Sequence, residues 1–333
     1  MLSYIVRRIA QIIPLLVGLS LMTFIIIQLP PGDYVTMYIQ RLEQAGSKAS
    51  EYEIATLRRL YNLDRPLYQQ YLIWLRNIVL RGDFGRSLQW ERSVSELIGE
   101  RLLLTSVISI CTLFFTYVVS IAIGIYSATH QYTIGDYFFS FLAFIGISVP
   151  GFLLALVIMY AVFVHTGVAV TGLFSEQYVR APWSWDKVLD GLKHIWLPII
   201  VIGLSGTASL TRTMRGLLLD ELQQAYVVTA RAKGVSETRL LFKYPVRLAI
   251  NPMISTLGWL LPTIVSGESL VAIVLNMPTT GPLLLQSLLA QDMYLAGGFL
   301  LMTSTLTVIG TLVSDILLAW LDPRIRFGGV SEH

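Results

Sequence analysis

Long runs of apolar residues constrain this sequence more than any other feature. A helix of about 20 residues crosses a bilayer, and six runs approach or exceed that length. They cover residues 9–29, 103–129, 137–164, 195–210, 253–275 and 295–318. Backbone groups left unpaired in hydrocarbon are costly, so a single spanning segment of this kind forms a helix. The sequence therefore predicts an all-α, polytopic membrane protein with six transmembrane helices.

The composition agrees with this prediction and argues against several kinds of site. Of the 333 residues 54% are apolar and 14% are charged, whereas soluble domains carry about 25% charged residues. A net charge of +3 is too small to indicate nucleic-acid binding. The single cysteine, Cys111, allows no disulfide or thiolate metal site within the chain. Neither a histidine metal motif nor a P-loop is present, so no metal, catalytic residue or cofactor is predicted here.

Basic residues predict the orientation, because they concentrate on the cytoplasmic side. The loop 211–252 carries seven Arg or Lys against three acidic residues, and paired arginines flank the first and last runs. Both termini and this loop are therefore predicted to be cytoplasmic. Residues 1–30 then form an N-terminal membrane helix, 31–102 an extracytoplasmic helical region, and 103–333 a core domain with five spans. The first run ends in Pro-Pro-Gly-Asp, so an uncleaved helix is favoured over a signal peptide.

Several residues on the predicted outer side and inside the spans have local interpretations. Asp64-Arg65-Pro66 and Arg81-Gly82-Asp83 are typical of turns and caps between short helices. Gly297-Gly298 predicts close helix packing. Prolines in the third to fifth runs break hydrogen-bond ladders, as fixed kinks or as hinges: Pro150, Pro198 and Pro262. Five tryptophans suit a belt at the membrane interface: Trp74, Trp90, Trp183, Trp185 and Trp196.

Residues 220–234 predict a short amphipathic helix in the cytoplasmic loop. Asp220 is a suitable N-cap, and Gly234 suits the left-handed residue that closes a helix. Small residues at Ala230 and Ala232 would let another surface approach closely. One stripe at helical spacing collects several residues: Leu222, Tyr226, Thr229-Ala230 and Lys233. From these residues alone, two interpretations stay open, a helix lying on the inner leaflet and a contact site for a cytoplasmic partner.

The same segment carries a resemblance to a known family. Tyr226-x-x-Thr229-Ala230-Arg231-Ala232-Lys233-Gly234 resembles the coupling-loop signature of binding-protein-dependent ABC importer permeases, most closely the dipeptide, oligopeptide and nickel branch. Segments along nearly the whole chain are similar to that branch in the expected order: Tyr4-Ile5-x-Arg7-Arg8, Leu29-Pro30-Pro31-Gly32-Asp33, Leu63-Asp64-Arg65-Pro66, Gly82-Asp83-Phe84-Gly85-Arg86-Ser87 and Leu321-Asp322-Pro323-Arg324-Ile325-Arg326.

This resemblance implies the transmembrane domain of a type I ABC importer in the bacterial inner membrane. Seven residues are then expected to couple it to an ATPase: Tyr226, Thr229, Ala230, Arg231, Ala232, Lys233 and Gly234. The implied partners are a second homologous permease, two cytoplasmic ATPase subunits and an extracytoplasmic solute-binding protein. ATP and Mg²⁺ would be bound by the ATPase subunits, so this chain is not expected to be an enzyme.

The cargo is less determined, because the chain departs from the peptide branch near the predicted pathway. Ala272 stands six residues before Pro278, where that branch often has a glutamate. An oligopeptide or dipeptide is favoured, and a sugar oligomer or nickel stays open. Glu268 is the one acid deep in a predicted span. It is interpreted either as a residue of the transport pathway or as a structural hydrogen-bonding group, since a carboxylate there must face protein or water.

Two other classes of protein fit the same residues less well. A secondary transporter often shows two related halves and carries its own coupling-ion sites, and neither is visible here. An intramembrane enzyme needs a nucleophile with a base or a metal cluster in its spans. Cys111 has no histidine in its own run, so this class is not favoured.

Overall fold

The computed structural model describes residues 2–29, 35–36, 39, 42–43, 46, 50–60, 63–87, 89–167, 171–179, 181–257, 269–290 and 292–321. These ranges are helical almost throughout, and their only extended pairing is an isolated bridge between Arg86 and Ser93. The predicted all-α class is confirmed for this part of the chain.

In chain order the helices are α1 (Leu2–Gln28), α2 (Glu51–Leu60), α3 (Leu67–Arg81), α4 (Val94–Thr129), α5 (Ile134–Ser148), α6 (Gly151–Thr166), α7 (Glu176–Val179), α8 (Trp185–His194), α9 (Trp196–Leu222), α10 (Ala225–Ala232), α11 (Glu237–Lys243), α12 (Pro245–Ser255), α13 (Ser269–Val274), α14 (Thr280–Leu289) and α15 (Met293–Leu321).

Within the described ranges, three helices are long and apolar enough to cross a membrane: α4, α9 and the Tyr294–Val313 stretch of α15. Helices α5 and α6 reach that length only together, and they are bent by 112° where they meet. Helix α1 carries a shorter apolar stretch over Ala10–Ile26. The fifth predicted run lies partly outside the described residues. The described chain therefore has three or four candidate spans, and the six crossings stay a prediction.

Prolines lie at different places relative to two of the predicted breaks. Pro198 is the third residue of α9, where the backbone amide has no partner inside the helix, so proline costs little. The break lies just before it, because α8 and α9 are separated only at Ile195, three residues ahead of Pro198. Pro150 does separate two helices, since it is the residue before α6 begins. Pro262 lies outside the described residues.

Helix α9 continues well beyond its apolar run. It spans 27 residues and ends at Leu222. Its inward side carries Leu197, Val201, Met214 and Leu218, all buried in one core cluster. This continuous apolar side stabilises the helix through its polar last turns, because burying each such side chain contributes about 1.5–3 kcal/mol.

Contacts group the chain into two compact units. The first comprises Met1–Arg8, Leu104–Pro282 and Thr307–His333, and the second comprises Ile9–Leu103 and Leu283–Leu306. The domain boundary predicted between residues 102 and 103 falls inside the continuous helix α4.

The first unit is built on close approach of helices at small residues. A side chain at Gly124 of α4 would place its Cβ 2.6 Å from the Met214 Cβ of α9. At Gly203 of α9 the added Cβ would lie 2.8 Å from a ring carbon of Phe115. Small residues let membrane helices pack closely, where hydrophobic burial cannot drive association. Helix α9 also packs on α5, α6, α12 and α13, so it is the central element of this unit.

The second unit explains the motif at Gly82–Ser87. Gly82 closes α3 at φ 62°, with its amide bonded to the Ile78 carbonyl at 3.0 Å, which confirms the predicted cap. Gly85 has φ 100° and would bring a Cβ to 2.8 Å from Tyr294. Ser87 Oγ lies 2.5 Å from a carboxylate oxygen of buried Asp292, whose other oxygen accepts the Leu295 amide. The motif thereby fastens a loop to the first turn of α15.

Two further sequence interpretations concern this second unit. A Cβ at Gly298 would lie 2.8 Å from Val94 Cγ1, so the close packing predicted for Gly297-Gly298 is confirmed. Trp74 is buried against Phe24 and Leu301, so its predicted place in an interfacial belt is wrong. Its position on the inward side of α3 decides its burial, and that position depends on tertiary packing.

Candidate functional site

Helix α10 is the predicted coupling segment, and it begins later than the sequence suggested. It covers Ala225–Ala232, with Gln224 as an N-cap that makes no side-chain capping bond. Asp220 and Glu221 belong to the last turn of α9 instead, so the predicted N-cap at Asp220 is wrong. The cause is the apolar side of α9, which continues through Leu218 to Leu222 and keeps that helix intact.

The end of α10 follows the prediction. Gly234 adopts φ +76°, and the Val235 amide bonds back to the Ala230 carbonyl at 3.3 Å. This left-handed closure leaves open space around the position where a Cβ would be. Glycine is thus favoured by the backbone conformation, not by a close neighbour. The left-handed conformation predicted for Gly234 is confirmed.

Helix α10 has one covered side and one open side. Val227 is fully buried, with Tyr226 and Ala230 half-buried beside it. The opposite side presents an open stripe at i, i+3, i+4 and i+7 spacing: Ala225, Val228, Thr229 and Ala232. Arg231, Lys233 and Gly234 are exposed around the helix end. The predicted single stripe is therefore divided, since Tyr226 and Ala230 face inward while Thr229 faces outward.

Polar contacts hold the covered side of α10 in place. The Tyr226 hydroxyl donates to the Glu221 carboxylate at 2.5 Å, and its ring lies 6.4 Å from that of Tyr244. Burial raises the pKa of Tyr226, and the adjacent Glu221 carboxylate raises it further. The hydroxyl therefore stays protonated and keeps donating near neutral pH. Helix α10 is thereby tied to the end of α9 on one side and to the segment before α12 on the other.

An ionic contact lies at the same end of α9. Arg215 donates to both carboxylate oxygens of Asp136, at 3.1 and 2.9 Å. Asp136 is buried and also accepts the Tyr132 amide at 3.1 Å. This pair fastens the turn between α4 and α5 to α9. Sequence reasoning missed it because the two residues are 79 positions apart, and the only available signal was one charge of each sign near the ends of apolar runs.

Hydroxyl-bearing and apolar side chains together line a small cavity between α4, α9 and α13. Thr105 Oγ1 lies 3.0 Å from Thr280 Oγ1 and accepts the Thr280 amide at the same distance. Ser109, Ser269 and Thr279 also line it. The described residues of the lining carry no ionised group, so this part of the cavity suits water or neutral polar groups. Glu268, the predicted pathway residue, lies outside the described residues. Within those residues, no group of three or more His, Cys, Asp or Glu side chains could hold a metal ion.

Two family models match the chain. The model described as a binding-protein-dependent transport system inner membrane component matches residues 120–327, and the model of the N-terminal part of such components matches residues 1–109.

Several named proteins are similar over the full length. The oligopeptide transport system permease protein AppB of Bacillus subtilis is 34% identical, over 98% of this chain and 100% of that protein. A putative peptide permease of Brucella ovis is 34% identical, over 98% and 99%. The dipeptide transport system permease protein DppB of Escherichia coli K12 is 29% identical, again over 98% and 99%.

Proposed function

The chain belongs to the family of binding-protein-dependent transport system inner membrane components, and we propose that it carries peptides across the inner membrane as one permease subunit of an ATP-driven importer. It is a permease of this family, and relatives named for oligopeptide and dipeptide transport align with it almost end to end. Those names support peptides over sugar oligomers or nickel as cargo. Family membership likewise favours an ATP-driven importer over a secondary transporter.

The observation that carries the coupling mechanism is the open stripe of α10. Ala225, Val228, Thr229 and Ala232 have small or short side chains and no covering segment within the described chain. Val228 is 58% exposed although it is apolar. A short helix with a small-residue face fits a groove closely, as helix-in-groove recognition requires. We infer that this face, and not the one containing Tyr226 and Ala230, contacts the ATPase subunit.

Contacts on the covered side of α10 explain how a displacement of this helix would be transmitted to the membrane-spanning part of the chain. Tyr226 donates to Glu221 in the last turn of α9, and α10 packs against α11. Helix α9 is the central element of its unit, so displacement of α10 would move a membrane-spanning helix. ATP binding and hydrolysis in two partner subunits would supply this displacement. A second permease subunit would complete the pathway, and an extracytoplasmic binding protein would deliver the peptide.

The remaining parts of the proposal rest on charge and burial rules. The basic loop 211–252 supports a cytoplasmic position for α10, with both termini on the same side and six crossings in total. Glu268 is proposed as a pathway residue because a carboxylate deep in a span must face protein or water. Neutral hydroxyl groups near Ser269 would suit the uncharged polar groups of a peptide backbone.

Replacing Thr229 with glutamate tests the coupling role of α10. The side chain is already exposed, so adding a charge should leave the folding and membrane insertion of this chain unchanged. It should nevertheless place an unpaired carboxylate in the ATPase groove. Peptide uptake by cells, and the stimulation of ATP hydrolysis by loaded binding protein in proteoliposomes, are the measurements. We expect both to fall at least tenfold at normal amounts of the chain.

Thr238→Glu is the matched control. Thr238 is exposed on α11 in the same loop and lies outside the open stripe of α10. The Thr238→Glu variant adds an identical charge. Uptake and stimulated hydrolysis should stay within about twofold of wild type, because surface substitutions usually change little. Normal coupling in Thr229→Glu would instead favour a helix lying on the inner leaflet.

A further inference from the structure

Helix α8 has the opposite polarity to an ordinary surface helix. Its inward side is polar and consists of residues at i, i+3, i+4 and i+7 spacing: Lys187, Asp190, Gly191 and His194. Its outward side is apolar at the same spacing: Trp185, Val188, Leu189 and Leu192. Trp185 is 83% exposed, Leu189 55% and Leu192 60%. An aqueous surface helix normally shows the reverse arrangement.

Polar contacts lock α8 in this orientation. Lys187 is buried, donates from Nζ to the Ala181 carbonyl at 2.6 Å, and lies 5.0 Å from the centre of the Phe174 ring. Asp190 is also buried and accepts the amide and the hydroxyl of Ser175, at 2.7 and 2.6 Å. Rotating the helix to bury its apolar side would strip both charges of these partners, which is costly. The apolar side is therefore held outward.

The helix also approaches close to its neighbours on the inward side. A Cβ at Gly191 would lie 2.9 Å from a ring carbon of Phe174. This glycine allows α8 to rest directly on the segment that contains Phe174 and Ser175. The inward side thus needs no further partner, and whatever covers α8 must cover Trp185, Val188, Leu189 and Leu192.

The position of α8 in the chain indicates what covers it. Only Ile195 separates its last residue from α9, a candidate membrane span. Its apolar side is therefore at the boundary of the bilayer. Exposed tryptophans stand before it, at its start and just after it: Trp183, Trp185 and Trp196. Tryptophan side chains concentrate at the level of the lipid headgroups, and a helix with one apolar side lies in that layer with this side toward the acyl chains.

We propose that α8 is an interfacial helix that rests its Trp185–Leu192 side on phospholipid, beside the entry of α9 into the membrane. The polar side of a free amphipathic helix faces water, whereas the polar side of α8 faces the rest of the protein. The inference depends on the proposed membrane orientation only in which leaflet α8 contacts. That leaflet is the outer one if loop 211–252 is cytoplasmic. Contact with lipid itself holds for either orientation.

Spin labels on α8 test this contact. In a Cys111→Ala background, a label at Leu189→Cys reports the apolar side, and Asp186→Cys is a control on the exposed flank of the same helix. The full chain, assembled with its partner subunits in phosphatidylethanolamine–phosphatidylglycerol nanodiscs, is measured with two relaxing agents. Oxygen concentrates in lipid, and chromium oxalate stays in water. We expect the ratio of oxygen to chromium accessibility at Leu189 to exceed that at Asp186 several-fold.

Three outcomes would overturn the proposal. Equal ratios at the two positions mean that the apolar side faces water. Low accessibility to both agents at Leu189 means contact with protein, such as the second permease. High chromium accessibility that falls when loaded binding protein is added means a docking site for that protein. Peptide uptake is measured in parallel, so failure of the importer assignment would appear as lost uptake in the unlabelled parent, whatever the labels report.

Discussion

At the scale of single residues, Gly234 is held by its backbone conformation alone. Its φ of +76° belongs to the left-handed region, and no atom lies within 4 Å of the point that a Cβ would occupy. A substitution there changes strain without creating a clash. Backbone strain and steric clash, which usually occur together when a glycine is replaced, are therefore separated at Gly234. A substitution at this position tests how closely the end of α10 must be placed.

Gly234→Val should disturb the end of α10, because a β-branched residue in the left-handed region costs about 1–2 kcal/mol. We expect peptide uptake to fall strongly while the amount of chain in the membrane stays near normal. Gly234→Asn is the matched control, since asparagine tolerates this conformation and should keep most of the activity. Equal activity in the two variants would show that the closure of α10 does not matter for coupling.

At the scale of elements, the contact between Arg215 and Asp136 joins three helices at one end of the first unit. It fixes the turn that connects α4 and α5 to the last third of α9, ten residues before α10 begins. The Arg215 side chain is 30% exposed while the carboxylate is almost fully covered. Loss of the arginine would leave a covered carboxylate without its cationic partner.

Arg215→Gln should therefore destabilise the chain by about 1–3 kcal/mol, between the values for exposed and for buried pairs. Thermal unfolding of the detergent-solubilised protein measures this loss. Asp136→Asn combined with Arg215→Gln removes the unpaired charge and should recover part of the stability. Purely additive losses in the double variant would mean that the two side chains do not interact energetically.

Elements also show why helix boundaries were harder to predict than helix existence. The bend of 112° between α5 and α6 occurs at the Pro150-Gly151 step that the sequence marked as a break. Pro198 carried the same signal but lies in the first turn of α9, and the break between α8 and α9 comes three residues before it, at Ile195. The effect of a proline depends on where its helix begins, and a neighbouring element sets that point.

At the scale of the whole molecule, the proposed orientation can be tested by labelling. In a Cys111→Ala background, Glu51→Cys reports the region before α4 and Ser236→Cys reports the loop after α10; both positions are exposed. An impermeant thiol reagent added to intact cells should label the first and not the second. Ser236→Cys should react only after the cells are opened. Reaction of both from outside would contradict the arrangement with six crossings and cytoplasmic termini.

The sequence by itself determined the class of this protein and much of its function. Apolar runs predicted helices because a backbone in lipid must satisfy its own hydrogen bonds. The signature around Tyr226–Gly234 predicted the permease family, and the left-handed glycine that closes α10 lies at the predicted position. These features are local, because each depends on residues that are neighbours along the chain.

Tertiary structure alone decided which sides of these helices are covered. Ala230 and Thr229 are adjacent in sequence, yet one rests inward and the other faces out, because Val227 anchors the helix. The apolar side of α8 is held outward by Lys187 and Asp190, whose partners come from the preceding segment. Periodicity shows that a helix has two sides, but only its contacts with other segments, and the cost of leaving charges without partners, determine which side is buried.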